Sequence, residues 1–176
     1  MLAQKLDSTI RDVENFPRVG ITFKDITPIL KDHTLCEEVV TAFANQLQNI
    51  EIDAVAGIES RGFLFGFMLA QRLNKPFIPI RKQGKLPHTT ISESYKLEYG
   101  QATIEIHDDA FTAGQKILIH DDLLATGGTV VAASKLIEEL GGTVAGYAFV
   151  ISLDFLNAKG RLSRFSDRVI TLVNYD

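Results

Sequence analysis

Residues 119–129 read Ile-His-Asp-Asp-Leu-Leu-Ala-Thr-Gly-Gly-Thr, and this stretch joins an apolar run at 116–120 to a helical pattern at 127–140. The apolar run predicts a central parallel strand, because such strands are buried on both faces. The pair Gly141-Gly142 is typical of a helix end, where glycine commonly stands. A strand, a turn of small residues and a helix in succession are typical of an α/β protein.

The alternation of strand and helix continues on both sides of this unit. Apolar residues recur every four positions from Leu35 to Leu47, which predicts a helix over 35–49 that Asp32 or Thr34 caps. Further strands are predicted at 53–58, 76–80, 103–107, 144–153 and 169–173, and a further helix at 62–73. The prolines of the second of these strands suggest a sheet edge or a strand end. We therefore predict one domain, with a mostly parallel central sheet flanked by helices and ligands bound beyond the carboxyl ends of the strands.

The acid pair and the small turn after it predict a site for a phosphorylated sugar. Residues 125–129 offer unobstructed amide N–H groups at a helix N-terminus, which attracts an anion. Asp121 and Asp122 would repel that anion, so they fit a ligand whose hydroxyl groups lie close to its phosphate. The alternative is an acid pair that merely caps a helix, and it is disfavoured because two adjacent glycines lower helix stability.

A second loop, Ala56-Gly-Ile-Glu-Ser-Arg-Gly62, follows another predicted strand. It presents Glu59, Ser60 and Arg61 at a turn that leads into a helix. An arginine beside free amide groups suits a second anion. On its own the loop is equally consistent with a surface turn that carries a salt bridge.

These two loops resemble the ribose-phosphate and diphosphate loops of the type I phosphoribosyltransferases. The resemblance implies the fold of that family, with a small N-terminal hood at about 1–34 and a flexible lid loop at about 83–101. It implies that Asp121 and Asp122 meet the 2- and 3-hydroxyls of phosphoribosyl diphosphate. It assigns the 5-phosphate to Ala125, Thr126, Gly127, Gly128 and Thr129. It assigns the diphosphate to Glu59, Ser60, Arg61, Arg81, Lys82 and Lys85, with Arg81 able to serve a neighbouring subunit.

Residues 16–28 indicate which branch of the family the chain resembles, because they are similar to the hood of the phosphoribosyltransferases that act on adenine. In that interpretation Thr22, Phe23 and Lys24 bind the base, and the Phe23 ring stacks on it. Leu153, in a matching segment, packs on the other face of the base. The alternatives are that residues 16–28 form only an N-terminal arm packed on the core, and that Leu153 is a core residue.

The polar stretch 83–101 lacks a clear structural pattern, which in a compact domain indicates a lid or disorder. A lid would exclude water from a reactive sugar cation, and Lys85, Tyr95 and Lys96 are candidates to seal it. The string 95–100, Tyr-Lys-Leu-Glu-Tyr-Gly, resembles the signature of the adenine-specific enzymes. By that resemblance Glu98 accepts the proton that adenine loses, and Tyr99 shields the site. The alternative for Glu98 is an exposed acid on a strand.

The resemblance implies a pentosyltransferase of purine salvage that converts adenine and phosphoribosyl diphosphate to AMP and diphosphate. Mg²⁺ would be held mainly by the substrate diphosphate and ribose hydroxyls, since the sequence has no dense metal-binding cluster. Two alternatives remain: transfer to a 6-oxopurine, and a non-catalytic regulator that senses phosphoribosyl diphosphate. One departure from the family pattern is His120, which stands where an aliphatic residue usually precedes the acid pair; it either couples to the acids or packs.

The composition restricts the kinds of partner and the compartment that are expected. The chain has 176 residues, a net charge of −4 and no basic cluster, which argues against nucleic acid or an anionic membrane as the main partner. Its most apolar stretch, 62–70, is shorter than the ~20 residues that a membrane span needs. The single cysteine, Cys36, fits a reducing compartment and is predicted to pack within a helix. We expect a cytoplasmic protein, and the family resemblance implies a homodimer.

Overall fold

The computed structural model describes residues 1–97 and 100–176, where strands and helices alternate as the sequence predicts. The helices of these residues are α1 (Leu2–Thr9), α2 (His33–Leu47), α3 (Gly62–Arg72), α4 (Gly128–Glu139) and α5 (Lys159–Leu162). The strands are β1 (Arg11–Glu14), β2 (Thr22–Asp25), β3 (Ala54–Ile58), β4 (Phe77–Lys82), β5 (Thr90–Lys96), β6 (Gln101–His107), β7 (Lys116–Leu124), β8 (Thr143–Leu153) and β9 (Val169–Tyr175). Short 3-10 turns lie at Thr27–Lys31 and Asp154–Leu156.

The main sheet has seven strands in the order β5-β6-β4-β3-β7-β8-β9. The five neighbouring strands β4, β3, β7, β8 and β9 pair in parallel. Strand β6 pairs antiparallel with both β4 and β5. β1 and β2 form a separate two-stranded sheet. The fold is therefore α/β with a mostly parallel central sheet, as predicted, and β7 is an interior strand.

The core fills both faces of the main sheet. On one face, α2 and α3 pack Phe43 and Phe65 against the sheet together with residues of the N-terminal segment. On the other face, α4 packs Ala133 and Ile137 against it. Along β7, Leu118 belongs to the first cluster and Ile117 to the second, because successive strand residues point to opposite faces.

The helix α2 begins as the sequence predicts. The Asp32 side chain accepts a hydrogen bond of 3.1 Å from the amide of Leu35, so Asp32 is the cap. Cys36 is buried in this helix, with its Sγ 3.4 Å from the carbonyl oxygen of Ile29. Thus Cys36 packs within the helix, and its burial together with the nearby carboxylates of Asp32 and Glu37 raises the pKa of its thiol.

Of the two alternatives suggested by the prolines, a sheet edge was wrong for β4, whereas Pro76 does stand at the strand end, directly before Phe77. β4 lies between β3 and β6, and Pro79 pairs with Gly57 of β3. A proline is accepted here because β4 pairs with β6 only at Arg81 and Lys82. The backbone of Pro79 therefore has no ladder partner on its β6 side, which is the local condition of an edge.

The expectation that residues 83–101 lack regular structure was also wrong. Thr90–Lys96 is strand β5, and it pairs with β6 from Thr90 opposite His107 to Lys96 opposite Gln101. The side chains of β5 alternate between half-buried and exposed, but serine, threonine and glutamate occupy most of its positions and hide the period of two. The antiparallel β5–β6 hairpin, formed by Thr90–Lys96 and Gln101–His107, extends the main sheet.

The N-terminal residues predicted to form a hood comprise α1, the β1–β2 sheet and the turn Thr27–Lys31. Leu6, Ile26 and Ile29 are fully buried and join the core cluster under α2. No helix in the part of the chain that the structure describes is long and apolar enough to cross a membrane.

Candidate active site

The acid pair lies near the carboxyl end of β7, where the α/β architecture predicts a ligand site. Asp122 is 2% exposed, and its amide donates a 2.9 Å hydrogen bond to Oδ1 of Asp121. Four residues after this strand, α4 begins at Gly128. Its preceding residue, Gly127, has φ of 78°, a left-handed conformation that favours glycine, and no side chain caps the helix. The N-terminal amides of α4 are thus left without a side-chain acceptor.

A cleft of about 330 Å³ opens beside the acid pair. It brings together seven of the residues that the sequence predicts for phosphoribosyl diphosphate: Glu59, Ser60, Arg61, Lys82, Asp121, Asp122 and Thr129. Its walls are completed by Ile58 of β3, Tyr95 and Ile104 of the β5–β6 hairpin, and Leu123 of β7. The two loops identified in the sequence therefore line one cavity although about 60 residues separate them.

The close packing of α3 on β7 brings the loop after β3 to the acid pair. A Cβ atom on Gly62 would lie 2.8 Å from the carbonyl oxygen of His120 and 3.0 Å from Oδ1 of Asp121. Only glycine allows the first turn of α3 to approach the strand so closely. The peptide bond between Glu59 and Ser60, just before this turn, is cis.

Arg61 connects the acid pair to strand β2 of the N-terminal segment. Its Nε donates a hydrogen bond to Oδ2 of Asp122, and its guanidinium lies over the Phe23 ring at 4.8 Å from the centroid. The Phe23 ring also meets Phe16 edge to face, with centroids 5.3 Å apart. The sequence did not predict this row of contacts, because Phe23, Arg61 and Asp122 are brought together only by the tertiary fold.

The two acids differ in their surroundings. Burial, and then the neighbouring charge of Asp122, raise the pKa of Asp121 well above its usual value. The guanidinium of Arg61 acts in the opposite direction on the pKa of Asp121. Adjacent carboxyl groups in a partly buried site resist ionising together, and the nearby positive charge of Arg61 offsets part of that cost.

Glu59 organises the cationic side of the cleft. Its carboxylate accepts hydrogen bonds from Arg81 Nε at 3.1 Å and from the backbone amide of Lys82 at 3.0 Å. Partial burial alone would raise the pKa of Glu59, but these bonds outweigh it and the net pKa is lowered. Arg81 also donates to the carbonyl oxygen of Lys85, so its side chain is engaged within its own chain. The Lys85 side chain is exposed.

Two contacts outside the predicted set hold residues 126–129. Thr129 donates a 3.0 Å hydrogen bond to the hydroxyl of Tyr95 on β5, and Arg161 donates a 2.8 Å bond to the carbonyl oxygen of Thr126. Ala125 is half-buried and Thr126 is exposed. The β5–β6 hairpin therefore contacts the start of α4 directly. The only sequence indication of this contact was the prediction that Tyr95 helps to seal the site.

The residues predicted to bind the base lie in two places. Thr22, Phe23 and Lys24 form most of β2, with Thr22 exposed and the other two half-buried. Leu153 ends β8 and packs against the core cluster beneath α2. Glu98 and Tyr99 lie outside the described residues.

Known proteins resemble the chain over nearly its full length. Residues 27–173 match the family model described as the phosphoribosyl transferase domain. Over 175 residues, 99% of this chain and 97% of the relative, the sequence is 50% identical to an adenine phosphoribosyltransferase of Cytophaga hutchinsonii. The chain belongs to the adenine phosphoribosyltransferase family.

Solved structures of this family share the fold. A crystal structure of the adenine phosphoribosyltransferase from Thermoanaerobacter pseudethanolicus matches with a TM-score of 0.95 at 44% identity, covering 99% of this chain and 100% of that one. The Saccharomyces cerevisiae enzyme, complexed with an imino-altritol bisphosphate and adenine, matches with a TM-score of 0.89 at 39% identity. That match covers 97% of this chain and 98% of the yeast chain. The resemblance noted in the sequence is confirmed.

His120, the departure from the family pattern, packs in the core. It is fully buried, and its ring meets Phe43 edge to face with centroids 5.5 Å apart. Neither ring nitrogen has a hydrogen-bond partner of good geometry among the described residues. Burial lowers the pKa of His120 from 6.5 to about 4, and the nearby backbone of Ala148 offsets part of this lowering. The ring is therefore neutral at physiological pH.

Replacing His120 by leucine should stabilise the protein and make it less sensitive to acid. The change removes buried polar atoms that lack partners, a gain of about 1–3 kcal/mol in the free energy of unfolding. The His120 ring takes up a proton near pH 6.5 in the unfolded chain but only near pH 4 in the folded protein. The free energy of unfolding is therefore at its full value above pH 6.5 and falls as the pH drops toward 4. The loss at one such group is about 3 kcal/mol.

Urea unfolding at pH 7.5 and at pH 5 measures both effects. The His120→Leu variant should have the higher midpoint at each pH and a smaller difference between them. The exposed His33 provides the control, because His33→Gln should follow the unmodified protein at both values. An equal loss of stability on acidification in the leucine variant would exclude His120 as its source.

Proposed function

We propose that the chain transfers the 5-phosphoribosyl group of phosphoribosyl diphosphate to adenine, producing AMP and diphosphate in purine salvage. The observation that carries the proposal is the single cleft in which the acid pair, the start of α4 and the Glu59–Arg61 loop meet. Hydroxyl acceptors, phosphate-binding amides and an arginine correspond to the three parts of that substrate. Membership of the adenine phosphoribosyltransferase family supports adenine as the acceptor.

The proposed position of phosphoribosyl diphosphate follows the charges of the cleft. The 5-phosphate binds the amides of residues 125–129, where the N-terminus of α4 attracts an anion. The ribose hydroxyls bind Asp121 and Asp122, whose carboxyl oxygens act as acceptors. The diphosphate lies on the side of Ser60, Arg61 and Lys82, which line the same cavity.

The proposed base site lies between the hood and the end of β8. Phe23 provides an aromatic face, with the Arg61 guanidinium 4.8 Å from its ring centroid, so the base would meet the sugar near this arginine. Leu153 forms the opposite, apolar wall. The yeast relative that was solved with adenine supports a base site of this kind.

The donor groups of the cleft suit Mg²⁺ that arrives with the substrate. Carboxylate oxygen is the ligand type that Mg²⁺ prefers, and the cation commonly binds through substrate phosphates plus one or two carboxylates. Here Asp122 is bonded to Arg61 and Glu59 to Arg81, so the protein offers little beyond Asp121 without breaking an ion pair. Bound Mg²⁺ would offset the negative charge of the departing diphosphate.

In the proposed reaction the bond between C1 of the ribose and the diphosphate breaks, and the sugar gains oxocarbenium-like positive charge. Asp121 and Asp122 stabilise that charge electrostatically from the ribose side. Arg61 and Lys82 balance the negative charge of the leaving diphosphate. N9 of adenine then bonds to C1, and Glu98 accepts the proton that the base loses. The β5–β6 hairpin acts as a lid that excludes water while the cation exists.

A homodimer is part of the proposal, and the apolar surface of α3 supports it. Phe67 is 53% exposed and Leu64 is 38% exposed, and the rings of Phe67 and Phe77 pack edge to face beneath this surface. Neighbouring apolar side chains of this size on a surface mark an interaction site. Sedimentation should give twice the 19.5 kDa of one chain, and Phe67→Ser should shift it toward the single mass.

We also place the reaction in the cytoplasm, among small-molecule substrates rather than nucleic acid. The single cysteine is buried and unpaired, which fits a reducing compartment. The net charge of −4 gives a polyanion no general attraction.

A panel of acceptor bases tests the proposed function. The purified protein, Mg²⁺ and phosphoribosyl diphosphate are mixed with adenine, hypoxanthine, guanine, xanthine or orotate, and nucleotides are separated by chromatography. We expect AMP from adenine alone, and none when EDTA replaces Mg²⁺. Product from a 6-oxopurine would contradict the assignment of the hood. Tight binding of phosphoribosyl diphosphate without any nucleotide product would favour a sensing protein instead.

A further inference from the structure

We propose that Tyr175 is a positioning residue that couples the two walls of the base site, the hood strand β2 and the end of β8. The inference rests on the proposed function, because it concerns the site assigned to adenine. Three independent contacts of this one side chain and its backbone carry it.

The first contact is through the backbone. Tyr175 ends β9, and in the parallel β8–β9 pair its register partner is Leu153, the proposed apolar wall. A displacement of the Tyr175 main chain is therefore transmitted directly to the residue that would pack on the base.

The second contact joins the Tyr175 ring to the hood. Lys24 places its Nζ 4.0 Å from the ring centroid, a cation–π arrangement. The same Nζ lies 2.6 Å from Oδ1 of Asp12, which is the cross-strand partner of Lys24 in the β1–β2 sheet. The Lys24 side chain is only 17% exposed, so solvent weakens these interactions little.

The third contact fixes the ring itself. The Tyr175 hydroxyl donates a 2.8 Å hydrogen bond to Oδ1 of Asp7 on α1. Burial and then this bond raise the pKa of Tyr175, so the phenol keeps its proton at neutral pH and remains a donor. The side chain is thus held at both its ring face and its tip.

These contacts matter to the base because of the geometry of a strand. Successive side chains point to opposite faces, so Lys24 faces Tyr175 on one side of β2 while Phe23 faces Arg61 on the other. A two-stranded sheet is marginally stable alone, and β1–β2 is not hydrogen-bonded to the main sheet. A tilt of β2 that loosened Lys24 from Tyr175 would therefore also move the Phe23 ring.

The test compares Tyr175→Leu, Tyr175→Phe and the control Tyr147→Phe. Leucine removes the aromatic face and the hydroxyl, and we expect the KM for adenine to rise about threefold to thirtyfold, the size of one shielded cation–π contact. The KM for phosphoribosyl diphosphate and kcat should stay within about twofold, since Tyr175 does not line the cleft. Phenylalanine keeps the ring and should have a smaller effect. Tyr147 bonds Ser134 on the opposite face of the sheet, so its variant should leave the adenine KM unchanged.

Hydrogen exchange of residues 11–25 provides a readout that does not depend on activity. Faster exchange there in Tyr175→Leu, together with a higher adenine KM, supports the proposal. Unchanged exchange and an unchanged adenine KM overturn it, as does an equal rise in both substrate KM values. If exchange rises but the unmodified protein does not use adenine, the proposed function fails while the link between Tyr175 and the hood stands.

Discussion

Changing Asp121 and Asp122 together to asparagine should lower kcat/KM by about three orders of magnitude or more. Removing a single preorganised group that stabilises transition-state charge costs about 10²–10³ in rate, and here two neighbouring carboxyl groups are replaced by neutral amides. Asparagine has nearly the same shape, so the close contact of Asp121 with Gly62 is preserved. Steady-state kinetics with adenine and phosphoribosyl diphosphate measures the loss.

The chain offers a matched control for this variant. Asp108 and Asp109 are also adjacent acids, but both are exposed beyond the far end of β6. Their double change to asparagine should leave kcat/KM unaltered. Far-ultraviolet circular dichroism should show the same secondary structure for both double variants. If the Asp121/Asp122 variant keeps more than a tenth of the activity, the assignment of the ribose hydroxyls to this pair is wrong.

Changing Glu98 to glutamine should lower turnover by about 10²–10⁴-fold, the contribution of one general base. The KM for phosphoribosyl diphosphate should change little, because the proposed role of Glu98 is toward the proton of the base. The expectation comes from the string at 95–100, since Glu98 lies outside the described residues. It is measured as kcat at saturating concentrations of both substrates.

Glu93→Gln is the control for Glu98→Gln. Glu93 belongs to the same hairpin, and its carboxylate bonds Lys135 at 2.5 Å rather than lining the cleft. Its variant should keep normal turnover, so any common effect of altering the hairpin would be visible in both. Undiminished turnover in Glu98→Gln would remove Glu98 from the mechanism.

Local sequence patterns correctly predicted those helices and strands whose burial or capping is determined by residues close in the sequence. The apolar run before Asp121 is an interior strand, and Asp32 caps α2, because burial and capping act over a few residues. The hairpin strand β5 was missed since its half-buried positions include Thr90 and Glu93, whose polarity hides the alternation. Pro79 suggested an edge strand, but β4 is interior and merely lacks a β6 partner at that residue. The sequence of one strand does not show how far its neighbour extends.

The site was predictable in its parts but not in its connections. The acids, the glycine turn and the Arg61 loop each follow a strand, and the rule for carboxyl ends of parallel strands brings them to one edge. In contrast, the bonds from Arg61 to Asp122 and from Tyr175 to Asp7 join residues 61 and 168 positions apart. No periodicity or spacing in the sequence encodes such pairs, because they depend on how helices and strands pack in three dimensions.

The bond between Asp7 and Tyr175 also bears on the order in which the protein matures on the ribosome. The hood leaves the exit tunnel first, yet the strand that anchors it is the last of the sheet to be synthesised. At about 5–20 residues per second, α1 would wait roughly ten to thirty seconds for β9. During that interval the apolar side chains of α1, Leu6 among them, lack the last part of the core that buries them in the folded protein.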